Sequence, residues 1–251
     1  MLNDIPRRFF RALRKFIGFA ASYEAEVISS MVGYLLEDAY IHHRLARPEA
    51  ITLSFPGLVA LYEDDIEDAA EHLRLRVLKG IASHQPHEVV AAWAGHGQGL
   101  CREYWNAMAC GEEFEHTPSS FILLAEYTKQ ALVLHLEFVK LAVDYPPYFL
   151  RAAASFTLGT KDRDKTDHVD RLRVFVLSFL NHDMPSTPHK NMHVLVTGDM
   201  SSDDSQELVG AIQDAMRAHG SGIKMIFDSM PEFVAARGAA ELSWRAAALE
   251  N

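Results

Sequence analysis

Phe121-Ile-Leu-Leu-Ala-Glu-Tyr-Thr-Lys-Gln-Ala-Leu-Val-Leu-His-Leu136 is the stretch whose reading decides the fold. An apolar run of strand length enters a polar corner made of Glu126, Tyr127, Thr128, Lys129 and Gln130, and a second apolar run leaves it. That pattern predicts two strands joined at the corner. No glycine stands in the corner, so its backbone is screened by side chains on all sides. Residues 137–143 are also compatible with continuing as helix.

Outward from this pair, strands and helices alternate. Residues 51–55 and 75–79 read as strands flanking a helix over 62–73. Residues 87–110 are expected to be mainly helical, interrupted by Gly95-His-Gly-Gln-Gly99. Downstream, the spacing predicts a helix over 167–180, a buried strand over 192–197 and a helix over 203–218 that Ser201 or Ser202 would cap. A strand over 223–227 and a closing helix over 231–249, with Pro231 in its first turn, complete the pattern. Tyr145-Pro-Pro-Tyr148 reads as a breaker and residues 181–189 as a loop. The alternation argues for an α/β unit over residues 48–251, preceded by a helical segment over residues 1–47.

Composition excludes several classes. With 24 Lys and Arg against 34 Asp and Glu, the 251-residue chain carries a net charge of −10, so phosphate backbones repel it and no nucleic-acid partner is expected. Its two cysteines, Cys101 and Cys110, imply no disulfide framework. No apolar run reaches membrane-span length, and a cytoplasmic protein is the expectation. The N-terminus departs from the acidic average: Arg7, Arg8, Arg11, Arg14 and Lys15 are interleaved with Phe9, Phe10, Leu13, Phe16 and Ile17. Three readings fit this basic amphipathic helix: an aromatic face packed on the core, a membrane-surface helix, or a targeting segment.

Several blocks, in this order, resemble actin-like ATPases of the heat-shock-chaperone kind. Ile51-Thr-Leu-Ser-Phe-Pro56 is similar to that superfamily's strand ending in proline, and Tyr62-Glu-Asp-Asp-Ile-Glu-Asp-Ala-Ala-Glu-His-Leu73 to the helix after it. Gln85-Pro-His-Glu-Val-Val-Ala-Ala-Trp-Ala-Gly-His-Gly97 resembles the helix start written Glu-Pro-Thr-Ala-Ala-Ala in chaperones. His193-Val-Leu-Val-Thr-Gly-Asp199 looks like the adenosine-side strand and turn, and Pro231-Glu-Phe-Val-Ala-Ala-Arg-Gly-Ala-Ala-Glu-Leu242 like the closing helix. The overall flavour is that of the divergent chaperone-like proteins of filamentous fungi. In the family the 126–130 corner is an acidic residue followed by consecutive glycines that wrap a phosphate, and here those glycines are missing. The family's N-terminal strand pair, with its first phosphate loop, has no counterpart before residue 48, and residues 140–190 are shorter than its usual inserted subdomain. The resemblance therefore implies an α/β remnant of the actin-like ATPase (ribonuclease-H-like) fold, lacking the N-terminal phosphate-loop strands and carrying an N-terminal helical segment.

Candidate site residues follow from the corner and from the glycine cluster. Tyr127 and Thr128 are candidate hydrogen-bond donors and Lys129 a candidate anion holder; the alternative is that the corner merely plugs a dead cleft. Gly95-His-Gly-Gln-Gly99 reads either as a flexible turn presenting His96 and Gln98 to a cleft, or as a helix break that lets two elements cross closely. Trp93, Tyr104 and Trp105 would shape an apolar pocket, or pack as core. Of the thirteen histidines, His189 and His193 are spaced i, i+4 but straddle a loop–strand boundary, and His42-His43 and His84/His87 lack a third ligand nearby in sequence, so no metal and no cofactor are expected.

The expected function is that of a nucleotide-independent, repurposed enzyme acting on a hydrophobic small molecule. Fungal secondary metabolism includes proteins of this resemblance, and the norbornene-forming cyclases of sordarin-type terpenoid pathways set the specific expectation of an intramolecular Diels–Alder cyclisation. A cycloaddition needs a folded substrate and at most a hydrogen-bond donor. The alternative is an ATP-independent pseudo-chaperone or protein-binding module. Homo-oligomerisation, which would cover an open sheet edge, is compatible with either.

Overall fold

The computed structural model describes residues 5–55, 63–78, 85–142, 148–181, 192–220, 222–226, 228 and 230–250. In chain order the elements are α1 (Ile5–Phe16), α2 (Tyr23–His43), β1 (Ala50–Ile51), α3 (Glu63–His72), β2 (Arg76–Val77), α4 (Glu88–Gly95), α5 (Ala107–His116), β3 (Ser120–Tyr127), β4 (Leu132–Val139), β5 (Tyr148–Ser155), α6 (His168–Asn181), β6 (Met192–Thr197), α7 (Ser202–His219), β7 (Ile223–Ile226) and α8 (Val234–Glu250).

The 121–136 stretch forms the expected strand pair, β3 and β4, and that pair is the centre of a five-stranded sheet ordered β5-β4-β3-β6-β7. β4 runs antiparallel to both β3 and β5, whereas β6 is parallel to β3 and β7 parallel to β6. Side chains alternate across the sheet. Leu123, Ala125, Tyr127, Leu134 and Leu136 face α6 and α7, where Leu172, Val176, Phe179, Leu208, Ile212 and Met216 complete the larger core. Ile122, Leu124, Val139 and Leu195 face the other way and pack with Val89, Val90 and Trp93 of α4 and Val234 of α8. Because both faces are covered, β3 is apolar at nearly every position instead of alternating with polar residues.

Two local devices fix the helices on this sheet. Ser201 and Asp204 make a reciprocal capping box at the start of α7, and Gly220, at φ 79°, ends it in the left-handed region. α4 and α8 cross so closely that a Cβ on Gly95 would collide with the Val234 carbonyl, and one on Gly238 with the Ala91 carbonyl. A glycine break that lets two elements cross is thus what Gly95 provides.

Several expectations are corrected. Strand β4 continues through Val139 and does not turn helical. A further strand, β5, begins at Tyr148, directly after the proline pair; its small residues Ala152, Ala153 and Ala154 give little strand signal. β1 and β2 are only two residues long, with Phe55 and His87 adding an isolated parallel bridge. Cys101 and Cys110 are paired in a disulfide with Cα atoms 5.5 Å apart, although they imply no framework. The 181–189 loop lies almost wholly outside the described residues.

The N-terminal helix packs in the reverse sense to an aromatic face buried on the core. Arg7, Arg11 and Lys15 dock on the acidic face of α3, pairing with Asp64, Asp65, Asp68 and Glu71. Phe9, Phe10, Leu13 and Phe16 consequently face solvent. Charge pairing decides the orientation because Asp65 is itself buried, and a buried carboxylate without a cation is far costlier than an exposed phenyl ring.

Candidate functional site

The 127–131 corner is a tight turn held by its own backbone. The Thr128 amide donates to the Ala131 carbonyl at 2.9 Å, and the Thr128 hydroxyl accepts from the Gln130 and Ala131 amides. The segment Gly159–Lys161 lies directly over it: the Thr160 and Lys161 amides donate to the Thr128 and Lys129 carbonyls. A Cβ on Gly159 would collide with the Lys129 carbonyl. The hydroxyl and carbonyls of the corner are therefore engaged within the protein, while the Lys129 side chain is exposed.

Strand alternation then separates the corner residues. Tyr127 points into the α6/α7 face, fully buried, with its hydroxyl 2.9 Å from His168 Nε2. Behind it, Glu207 lies 3.8 Å from His168 and is held by Arg163, which also reaches Asp204. Burial, together with the nearby Glu207 and Asp204 carboxylates, raises the Tyr127 phenol well above its ordinary value. Gly198, at φ 114°, allows β6 to pass against the Tyr127 backbone, where a Cβ would strike the carbonyl.

Glu126 points the opposite way, toward the start of α4, and there the polar residues converge. In the β3/β4 register Glu126 pairs with Val133, Leu124 with His135 and Ile122 with Glu137, so Glu126, His135 and Glu137 share one face of the sheet. His135 and Glu137 are fully buried. α4 delivers His87 and Glu88 onto the same face. Its start is pinned by the Phe55–His87 bridge, with the Glu88 amide donating to the Phe55 carbonyl at 2.9 Å and the His87 ring edge-on to Phe55 at 5.0 Å. His87 Nδ1 lies 3.2 Å from Glu137 Oε1. Glu137 Oε2 and both ring nitrogens of His135 have no hydrogen-bond partner among the described residues.

The electrostatics of this group are unusual. Burial, with the Glu126 and Glu137 carboxyls beside it, pushes the Glu88 carboxyl up to about 8. It does so although Glu88 sits in the first turn of α4, where the helix dipole favours a carboxylate. Burial also raises Glu126. His135 is lowered to about 4, by burial first and by the His87 ring second. At neutral pH the group therefore holds a neutral imidazole at His135 and a protonated carboxyl at Glu88. A protonated, half-buried carboxyl is a hydrogen-bond donor. Among the described residues no three His, Cys, Asp or Glu side chains are arranged to hold a metal ion.

The remaining sequence candidates lie elsewhere. Gln85, at the head of the helix-start motif, is buried and structural: it accepts from the Leu53 amide at 2.7 Å and donates to the Leu78 carbonyl at 3.0 Å. His96 is half-buried at the end of α4, lowered by burial, with Asp228 and Arg237 near it, and Gln98 reaches back to its carbonyl at 3.4 Å. Trp93 is buried edge-on against His193, with ring centroids 4.8 Å apart. Tyr104 and Trp105 instead form a surface cluster with Trp244 and Arg245. The eight candidates are thus spread over separate places and do not line one cavity. Sequence reading passed over His87, Glu88, His135 and Glu137. The available signal was His135 and Glu137 at period two in a strand otherwise apolar, on the face that Glu126 shares.

No family model and no curated protein matches this sequence. Among solved structures, the chain is similar to the Aquifex aeolicus PPX-GPPA enzyme at 13% identity and a TM-score of 0.29. The match covers 43% of this chain and only 36% of that one, a likeness too slight to bear on fold or activity.

Proposed function

We propose that this protein is a nucleotide-independent enzyme for a neutral, largely apolar small molecule, with the Glu88–Glu126 carboxyls as its hydrogen-bond donor. The observation that carries the reading is the convergence of Glu88, Glu126, His135 and Glu137 on one face of the sheet, with His135 and Glu137 fully buried, where burial and the neighbouring carboxyls push the Glu88 carboxyl upward. The sheet order, with β4 alone antiparallel to the other strands, supports descent from the ribonuclease-H-like half of an actin-like ATPase. In that setting the carboxyls offer a hydrogen-bond donor, and a neutral ligand that carries an acceptor suits the site. The reaction class that fits a neutral acid without metal or nucleophile is an intramolecular [4+2] cyclisation. Glu88 would hydrogen-bond a carbonyl conjugated to the dienophile.

A thermal-shift titration with magnesium–ATP and with a panel of terpenoid dienes bearing a conjugated carbonyl tests this. A native-state ligand raises the melting temperature by mass action. The expected outcome is a shift with a diene, lost in Glu88→Leu/Glu126→Leu, which remove the donor, and none with ATP. A shift with ATP alone would overturn the reading.

A further inference from the structure

The geometry points to self-association: we propose that two copies of this chain pair through the outer faces of α2, antiparallel about a two-fold axis near Met31 and Tyr34. α2 is apolar on two sides. Its inner side is lined by small residues: Ala25 and Ser29 are buried, and Gly33 lies against Leu73, just beyond α3. The outer side carries Tyr23, Val27, Met31, Tyr34, Leu35 and Ile41, and these are exposed by between 40% for Val27 and 74% for Tyr34. Steps of three and four place them in one stripe along the whole helix. Glu24 and Asp38 are the acidic residues within the stripe, and His42 lies 2.9 Å from Asp38. A helix that is apolar on both sides belongs between two partners, and α3 supplies only one.

The size of the stripe suits a dimer. Six such side chains present on the order of 600 Å² of apolar surface, more than monomers usually expose in one patch. Doubled by symmetry, that is about 1,200 Å², the lower end of a specific interface.

Charge selects the partner and its direction. Glu24 stands in the first turn of α2 and Arg44 just beyond its last turn, while Glu26 is already paired with Arg14 and His42 with Asp38. Antiparallel docking sets each acidic end against the basic end of the other copy, twice over, and opposes the helix dipoles. Parallel docking would set like against like. A lipid surface fits less well. Arg7, Arg11 and Lys15 of α1 are engaged by α3 and Arg14 by Glu26, the net charge is −10, and Glu24 and Asp38 would enter the apolar layer.

Sedimentation equilibrium of the full chain across micromolar concentrations tests the proposal. The expected mass is twice the 28.1 kDa chain, falling to one chain in Met31→Glu/Tyr34→Glu. Glu24→Lys is expected to weaken pairing by about two- to tenfold, the range of exposed ion pairs, and Glu24→Lys/Arg44→Glu to restore it. Oxidation provides a readout that does not require a soluble glutamate variant. Met31→Cys/Tyr34→Cys should cross-link two copies, and Tyr23→Cys alone should not, because its antiparallel mate is Ile41. A chain of single mass throughout, a dimer indifferent to the glutamate pair, or cross-linking through Tyr23→Cys would each overturn the proposal. So would a wild-type chain that remains single but floats with lipid vesicles.

Discussion

The carboxyl of Glu88 is where sequence and chemistry meet most sharply, because its protonation decides what the site can bind. Its ordinary value is 4.5, and in the folded protein it rises to about 8. Between those values the folded state holds a proton that the unfolded chain has released. Stability contributed by this group therefore falls as pH rises through the window. His135 acts in the opposite sense. Its ordinary value of 6.5 drops to about 4, so below 6.5 the unfolded chain binds the extra proton and stability rises with pH. The two oppose each other between about 4.5 and 6.5, and above 6.5 Glu88 acts without His135. Urea denaturation from pH 6.5 to 8 is expected to show wild-type stability declining by up to about 2 kcal/mol relative to Glu88→Gln, at 1.36 kcal/mol for each pH unit. Parallel pH profiles for the two proteins would contradict this.

At the scale of elements, the α4–α8 crossing holds the site in place. α4 carries His87 and Glu88 at its first turn and Gly95 at its end, and Gly238 of α8 lies under Ala91. Gly238→Ala would gain up to about 1 kcal/mol of helix propensity, but its Cβ would strike a carbonyl that cannot move without shifting the helix. Overpacking of this kind costs about 1–3 kcal/mol, so chemical denaturation is expected to show a net loss. A stabilised Gly238→Ala would mean that the helices cross with room to spare. The elements were largely legible because their signals are local: Ser201 and Asp204 for the α7 cap, alternating strands and helices for the sheet, and glycines for the crossing. β5 was illegible because an alanine run has weak strand preference, and it forms only by pairing with β4. The orientation of α1 was illegible for another reason. A basic–aromatic helix has two usable faces, and which one is buried depends on the acids of α3, more than fifty residues further along.

For the whole molecule, the order of strands explains both what the sequence reading found and what it missed. Glu126 and Tyr127 are neighbours in sequence, yet the sheet sends Glu126 toward α4 and Tyr127 toward α6 and α7. A corner read as one polar site is thus two separate groups. The acid cluster draws on α4, β3 and β4 together, and only the register that pairs Ile122 with Glu137 and Leu124 with His135 brings its members onto one face. On the proposed reading, a neutral carboxyl at Glu88 is the group that meets the ligand. The most direct test is a ¹³C NMR titration of the glutamate side-chain carboxyls, with the Glu88 resonance assigned by its loss in Glu88→Gln. A midpoint near 8 is the expected result. A midpoint near the ordinary 4.5 would leave Glu88 ionised at neutral pH and contradict the account.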